Sequence, residues 1–198
     1  MKSLYRQFIS AILYILLLSV VIGFIIANIM YYTSSKEKID QQNVKTAEDI
    51  AQVLENLYGN EDAMAAYLSS IGQLGYQFVQ IDAAGKQVAY GKQFTHNELP
   101  VGTIDKVING EIYHGMQDFK DIFLMMGHFS NRLENSVGVP VSTTTGDYAL
   151  FMRPNNKMLF TDFHMILVGF IVAIAIISIS GCLLYTSDAA DEGLGVDL

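Results

Sequence analysis

FISAILYILLLSVVIGFIIANIMYY, residues 8–32, decides the fold class of this chain. The hydrocarbon core of a bilayer is about 30 Å thick, and a helix needs roughly 20 apolar residues to cross it. This run has that length and carries no charge. Its Ile, Leu, Val and Phe residues between Phe8 and Ile29 favour insertion by roughly 5–9 kcal/mol in total. A cleaved signal peptide is the alternative, but its apolar core spans about 7–15 residues and ends at a small-residue site. Here the run is longer and ends in Asn28, Tyr31 and Tyr32. A retained signal anchor is therefore expected, with the tyrosine pair at the membrane interface.

Working outward, HMILVGFIVAIAIISISG (residues 164–181) is a second apolar run, slightly short for a span. The expected architecture is two transmembrane α-helices flanking an extracytoplasmic α+β PAS-like sensor domain. Its parts are residues 1–7 as a cytoplasmic N-terminus, 8–32 as the first span, 33–163 as the sensor domain and 164–181 as a truncated second span. Lys2 and Arg6 precede the first span while Lys36, Lys38 and Lys45 follow it. Charge alone leaves the orientation open, because long loops translocate largely regardless of charge. The expectation is a multi-pass protein of the cell membrane with both ends in the cytoplasm.

Residues 182–198, CLLYTSDAADEGLGVDL, break in composition from the helix before them. They resemble the translation of a transposase-type sequencing adapter and are expected to be non-native. A scar of this kind stands outside fold reasoning. The formal net charge is −8, and setting aside Asp188, Asp191, Glu192 and Asp197 leaves −4. The single cysteine, Cys182, also lies in this tail. Disulfides, thiolate zinc sites and a cysteine nucleophile are thereby excluded from the remainder.

Between the spans, Ala47, Ile50, Ala51, Leu54, Leu57 and Tyr58 recur at helical spacing and predict one apolar helix face. Gly59-Asn60 ends that helix, and Glu61–Ile71 reads as the next. YQFVQID (76–82) and QVAYG (87–91) read as strands around a turn at Ala83–Lys86, whose glycine supplies backbone freedom. Thr103–Asn109 reads as a short helix with Gly110 as its cap. Glu111–Met116, Ser136–Ser142 and Tyr148–Arg153 read as further strands, with a turn over Thr143–Asp147. Helices followed by a largely antiparallel sheet define an α+β domain, and the order resembles extracytoplasmic PAS-like domains of bacterial receptors.

No catalytic motif is present: there is no P-loop, no HExxH and no Gly-x-Ser-x-Gly. Asp82 reads as a turn residue. His96, His114, His128 and His164 lack metal-ligand spacing, and each reads as a surface or packed polar residue. Without a basic patch, nucleic acid is not an expected partner. Ser19, Gly23 and Ala27 recur every four residues, as do Gly169 and Ala173. Small residues on one stripe let helices approach closely, within one chain or in a homodimer.

The membrane boundary gathers aromatic residues: Phe24, Tyr31 and Tyr32 on one side, and Phe160, Phe163 and His164 on the other. Phe119, Phe123, His128 and Phe129 lie in FKDIFLMMGHF, and Arg153 precedes the second span. Two readings stand side by side: an aromatic belt with ordinary core, or a site for a flat anionic ligand stacked on rings and paired through Arg or His⁺.

LGYQFVQIDAAGKQVAYGKQF (74–94), EIYHGMQDF (111–119), GHFSNRLENSVGV (127–139), GDYALFMRPN (146–155) and NIMYYT at the end of the first run together resemble the haem sensor histidine kinases of Gram-positive bacteria (HssS type). The resemblance covers nearly all of residues 1–180. It implies haem as the sensed ligand at the outer membrane face. It also implies transmission to a HAMP linker and to a kinase that binds ATP in a domain not contained here. That kinase would phosphorylate a response regulator inducing a haem-efflux transporter. A homodimer and contact with membrane lipid are further expectations. Carried over, the resemblance nominates Phe24, Phe129, Arg153, Phe163 and His164 around the haem, and the boundary cluster adds His128. Family arginines are expected near Thr95 and at His164. Here those positions are Thr and His, so Arg153 or His96 would have to grip the propionates. The alternatives are a two-span receptor kinase for another envelope signal, or a membrane-anchored binding protein with no kinase.

Overall fold

The alternation in YQFVQID places Phe78 and Gln80 on one face of a strand and Val79 and Ile81 on the other, and both faces become covered. The structure, a computed structural model, describes residues 4–57, 60–120, 124–143, 146–157, 159 and 168–181. Two units divide the chain, Met1–Tyr31 with Phe163–Leu198 and Tyr32–Asp162, and each is described by itself.

In the first unit the opening apolar run forms α1 (Leu4–Met30). The helix from Ile9 contains a window of mean hydropathy 2.9, long and apolar enough to cross a membrane. The second run contributes a shorter apolar helix, Val168–Gly181, here α6; residues 164–167 lie outside the described residues. Ser19, Gly23 and Ala27 are all buried, and α6 packs along their stripe. Ser178 Oγ donates to Ser19 Oγ at 3.3 Å. A Cβ added to Gly23 would stand 2.9 Å from a Phe170 ring carbon and 3.3 Å from Ile174. At the other end, one added to Gly181 would stand 2.9 Å from Ile15. The two helices therefore run antiparallel, closest where side chains are smallest. Ala173 is half-buried. Gly169 is exposed, with nothing among the described residues within 4 Å of an added Cβ. Leu13, Leu17, Ile25 and Ile171 point outward.

In the second unit a π-helical segment, Tyr31–Ser35 in its full extent, leads into α2 (Lys36–Asn56). Ala47, Ile50, Ala51 and Leu54 make the buried face of α2, as their spacing predicts; Tyr58 and Gly59 lie outside the described residues. Then come α3 (Glu61–Leu74), β1 (Tyr76–Asp82), β2 (Gln87–Gly91) and α4 (Thr103–Ile108). They are followed by β3 (Tyr113–His114), α5 (Gly115–Asp118), β4 (Val137–Thr143) and β5 (Gly146–Pro154). The strands form one antiparallel sheet in the order β2-β1-β5-β4-β3.

One sheet face buries Phe78, Val137, Val139, Leu150 and Met152 against α2 and α3. The other buries Val79, Ile81, Ala149 and Phe151 with Phe94, Val107 and Leu133. Each large apolar side chain buried this way contributes about 1.5–3 kcal/mol. The β1–β2 turn is held by Asp82, whose Oδ1 accepts from the backbone N–H of Ala84 and of Lys86, both at 2.9 Å. Gly85 supplies the positive φ of 81°. Asp82→Ala should lower the domain's stability by about 1–2 kcal/mol in thermal unfolding, whereas Asp82→Asn should retain most of it.

The expected strand over Glu111–Met116 is corrected: only Tyr113 and His114 pair with β4. At Gly115 a Cβ would collide with the Glu134 and Ser136 carbonyl oxygens. The chain turns there into α5 and buries Met116. The last strand is longer than expected, Gly146–Pro154 against Tyr148–Arg153, and β4 is shifted one residue onward, because Thr143 pairs with Gly146.

Candidate functional site

Tyr32 in the π-helical segment and Lys36 and Asp40 at the start of α2 lie at intervals of four, which brings neighbours onto one side of a helix. Lys36 Nζ lies 5.3 Å from the Tyr32 ring centroid, within cation–π range. It also donates to the Phe119 carbonyl at 3.2 Å. One turn on, Asp40 is buried, with a side chain 1% exposed. Its Oδ2 stands 2.6 Å from His114 Nδ1. Burial pushes the Asp40 carboxyl up, against the opposing pull of His114 and the Gln117 backbone N–H. His114 arrives here because β3 pairs it opposite Val137 at the sheet edge and Gly115 permits the sharp turn after it. Its side chain remains 42% exposed. Beside the pair, Asn43 Nδ2 donates to the Ile39 carbonyl at 2.8 Å and contacts Met116 Sδ at 3.4 Å.

Arg153 follows from the strand alternation. It sits opposite Gln77 on β1, and its side chain is fully buried, 0% exposed. Nη2 donates to the His128 carbonyl at 2.6 Å, and Nη1 donates to Asn156 Oδ1 at 3.3 Å. Asn135 Nδ2 donates to the same His128 carbonyl at 3.3 Å and to Ser130 O at 2.9 Å. Two buried side chains thus fix the loop that presents Phe129. The His128 ring meets Phe129 edge-on at 5.5 Å. Burial, reinforced by the positive charges of Arg153 and Lys36, pushes His128 down to about 3. The field of Lys36 therefore reaches the Arg153 knot as well as Asp40.

Of the residues nominated from sequence, His128, Phe129 and Arg153 come together in this unit. Arg153 is buried and bound to a carbonyl, and burial pushes His128 well below the usual imidazole range. Phe24 is a part-exposed residue of α1 in the other unit. Phe163 and His164 lie outside the described residues. Thr95 and exposed His96 are tied to the segment 131–133: Thr95 N–H donates to Asn131 O and Leu133 N–H to His96 O, each at 2.9 Å. The sequence reading missed the Asp40–His114 pair, whose members are 74 positions apart. The one local hint was YHG inside a segment that carried the resemblance. The cavities of about 440 Å³ beside the Asp82–Gln87 turn and about 230 Å³ between α3 and the sheet contain none of these residues. What is assembled is an exposed ring at Tyr32 with a half-buried ammonium at Lys36 and a half-buried imidazole at His114, beside the hydrogen-bonded knot of Arg153 and Asn135.

The family described as HssS heme sensor protein N-terminal domain matches residues 3–160. Heme sensor protein HssS of Staphylococcus epidermidis is 32% identical over 179 residues, covering 90% of this chain and 39% of the relative. Heme sensor protein HssS of Staphylococcus aureus strain Newman is 30% identical with the same coverage. The chain thus spans about 39% of the length of the curated relatives it matches. No solved structure matches it. With most of its length matched, and the matched segment containing α1, the sheet and the α2 stripe, the chain belongs to the HssS heme sensor protein N-terminal domain family.

Proposed function

We propose that the chain is the input region of a membrane-bound, haem-sensing histidine kinase of a two-component system. The match of residues 3–160 to a haem sensor N-terminal domain carries this reading. In it, α1 and α6 are two membrane spans flanking an extracytoplasmic, PAS-like sensor domain over residues 33–163. The apolar length of α1, its small-residue seam with α6 and the five-stranded antiparallel sheet support that layout. The kinase that binds ATP, the response regulator and control of haem efflux belong to the intact protein, which acts as a homodimer in membrane lipid.

Haem is a flat, anionic, apolar-faced molecule containing iron. The α2 stripe offers matching chemistry: an aromatic face at Tyr32, an ammonium at Lys36 for a carboxylate, and a half-buried imidazole at His114. Phe129 supplies a further ring, and Arg153 with His128 holds it in place rather than touching the propionates. Phe24, Phe163 and His164 are proposed as further contacts, each to be tested by single substitution. The signal leaves through α6 as a change in its packing on α1.

The test joins residues 1–181 to the transmitter of the Staphylococcus aureus relative and follows phosphorylation in membranes. Haemin should raise or lower phosphorylation in a saturable way, and an antimicrobial or salt challenge should not. A chimera that ignores haemin while the relative's own sensor responds would contradict the proposal.

A further inference from the structure

We propose that His114 Nε2 ligates the iron of haem, with Asp40 as the residue that positions the imidazole; this rests on the haem-sensing reading above. With Asp40 ionised the carboxylate can only accept, so the Nδ1–Oδ2 contact at 2.6 Å would place the proton on Nδ1 and leave the lone pair on Nε2. Ligating histidines characteristically use their second nitrogen this way, donating to a carboxylate that fixes the tautomer and raises ligand basicity. The two requirements conflict unless the partner is buried and the ring is not. Here Asp40 is 1% exposed and His114 is 42% exposed. Nε2 makes no hydrogen bond among the described residues.

The other described histidines lack this arrangement. The His128 ring is buried, and His96 has no carboxylate partner among the described ion pairs. The residues that precede Asp40 along the chain add ring and charge to this side of the domain. Lys36 stands one turn before Asp40 on α2, and its Nζ lies 5.3 Å from the Tyr32 ring centroid. Lys36 is flanked by the Asp118 carboxylate and by a second ammonium, Lys120. Coordination replaces a water on ferric iron by the imidazole nitrogen and transfers no electron.

The measurement is absorbance titration of the chain in nanodiscs with haemin and, separately, with metal-free protoporphyrin IX. The parent should bind haemin about tenfold or more tightly than the metal-free ring, with a Soret band of an imidazole complex. Asp40→Asn should weaken haemin binding in the direction of His114→Ala, by about tenfold, with metal-free binding little changed. His114→Ala should bind the two porphyrins alike, and added imidazole should restore the Soret band. Circular dichroism and melting establish that each variant is folded. If His114→Ala is unfolded, His114→Gln takes its place with the same expectations. Unchanged haemin affinity and spectrum in the folded variant would overturn the His114 assignment and leave haem sensing standing. Absence of any haemin binding by the parent would overturn both.

Discussion

Arg153→Ala should melt about 12–16 °C below the parent sensor domain. The guanidinium makes a charge-assisted bond to the buried His128 carbonyl, and such bonds contribute about 1.5–3 kcal/mol. Its removal also leaves an empty volume where a fully buried large side chain stood, and cavities carry their own cost. Asn135 still reaches the His128 carbonyl at 3.3 Å, which limits the loss to about 3–4 kcal/mol. A domain of this size shifts by about 4 °C per kcal/mol. Arg153→Lys should recover only part of the loss, since one ammonium cannot serve both the carbonyl and Asn156 in the guanidinium's planar geometry. Thermal unfolding followed by circular dichroism reads both variants. A melting point within a few degrees of the parent would show that the knot does not hold the Phe129 loop.

Acidification from pH 7 to pH 5 should destabilise the same domain by about 2 kcal/mol through His128. Its pKa falls from 6.5 to about 3 in the folded state, because the buried ring cannot accept a charge beside Arg153 and Lys36. Between those values the unfolded chain binds the proton and the folded chain does not. The stabilisation is therefore complete above about pH 6.5 and drains as the pH falls towards 3. Asp40 acts with the opposite sign. Its carboxyl is pushed up from 3.8, so its contribution is present at low pH and lost as the pH rises through its folded value. Denaturant unfolding at pH 7, 6 and 5 should show falling stability in the parent. In His128→Gln the slope should vanish or reverse, leaving the Asp40 contribution exposed. An unchanged slope in that variant would assign the acid sensitivity elsewhere.

The elements legible in the sequence were those whose cause is local. YQFVQID and QVAYG flank a turn with its own glycine and its own capping aspartate, and both strands occupy the predicted residues. The apolar face of α2 follows from spacing alone. The small residues of α1 were visible as a stripe, and Ser19 and Gly23 meet α6. Gly169, chosen by the same rule, has no such neighbour among the described residues. The strand at 111–116 failed at Gly115, where the constraint comes from carbonyls at 134 and 136. The site was legible in its types and not in its arrangement. An arginine and a histidine near the aromatics read as anion-binding groups, yet strand register buries Arg153, and burial first, with the charges of Arg153 and Lys36 second, pushes His128 down. The π-helical turn at Tyr31–Ser35 left no mark in hydropathy. The Asp40–His114 pair depends on the sheet edge meeting α2, which only the assembled fold displays.

The central claim is that this chain recognises haem through its sensor domain. The most direct measurement is equilibrium titration of the purified chain in nanodiscs with haemin, read by the Soret band against empty nanodiscs. Saturable binding of one haem per chain, weakened by Lys36→Ala and by His114→Ala, is the predicted result. Partition of haemin into loaded and empty nanodiscs alike, with no saturable component, would contradict it.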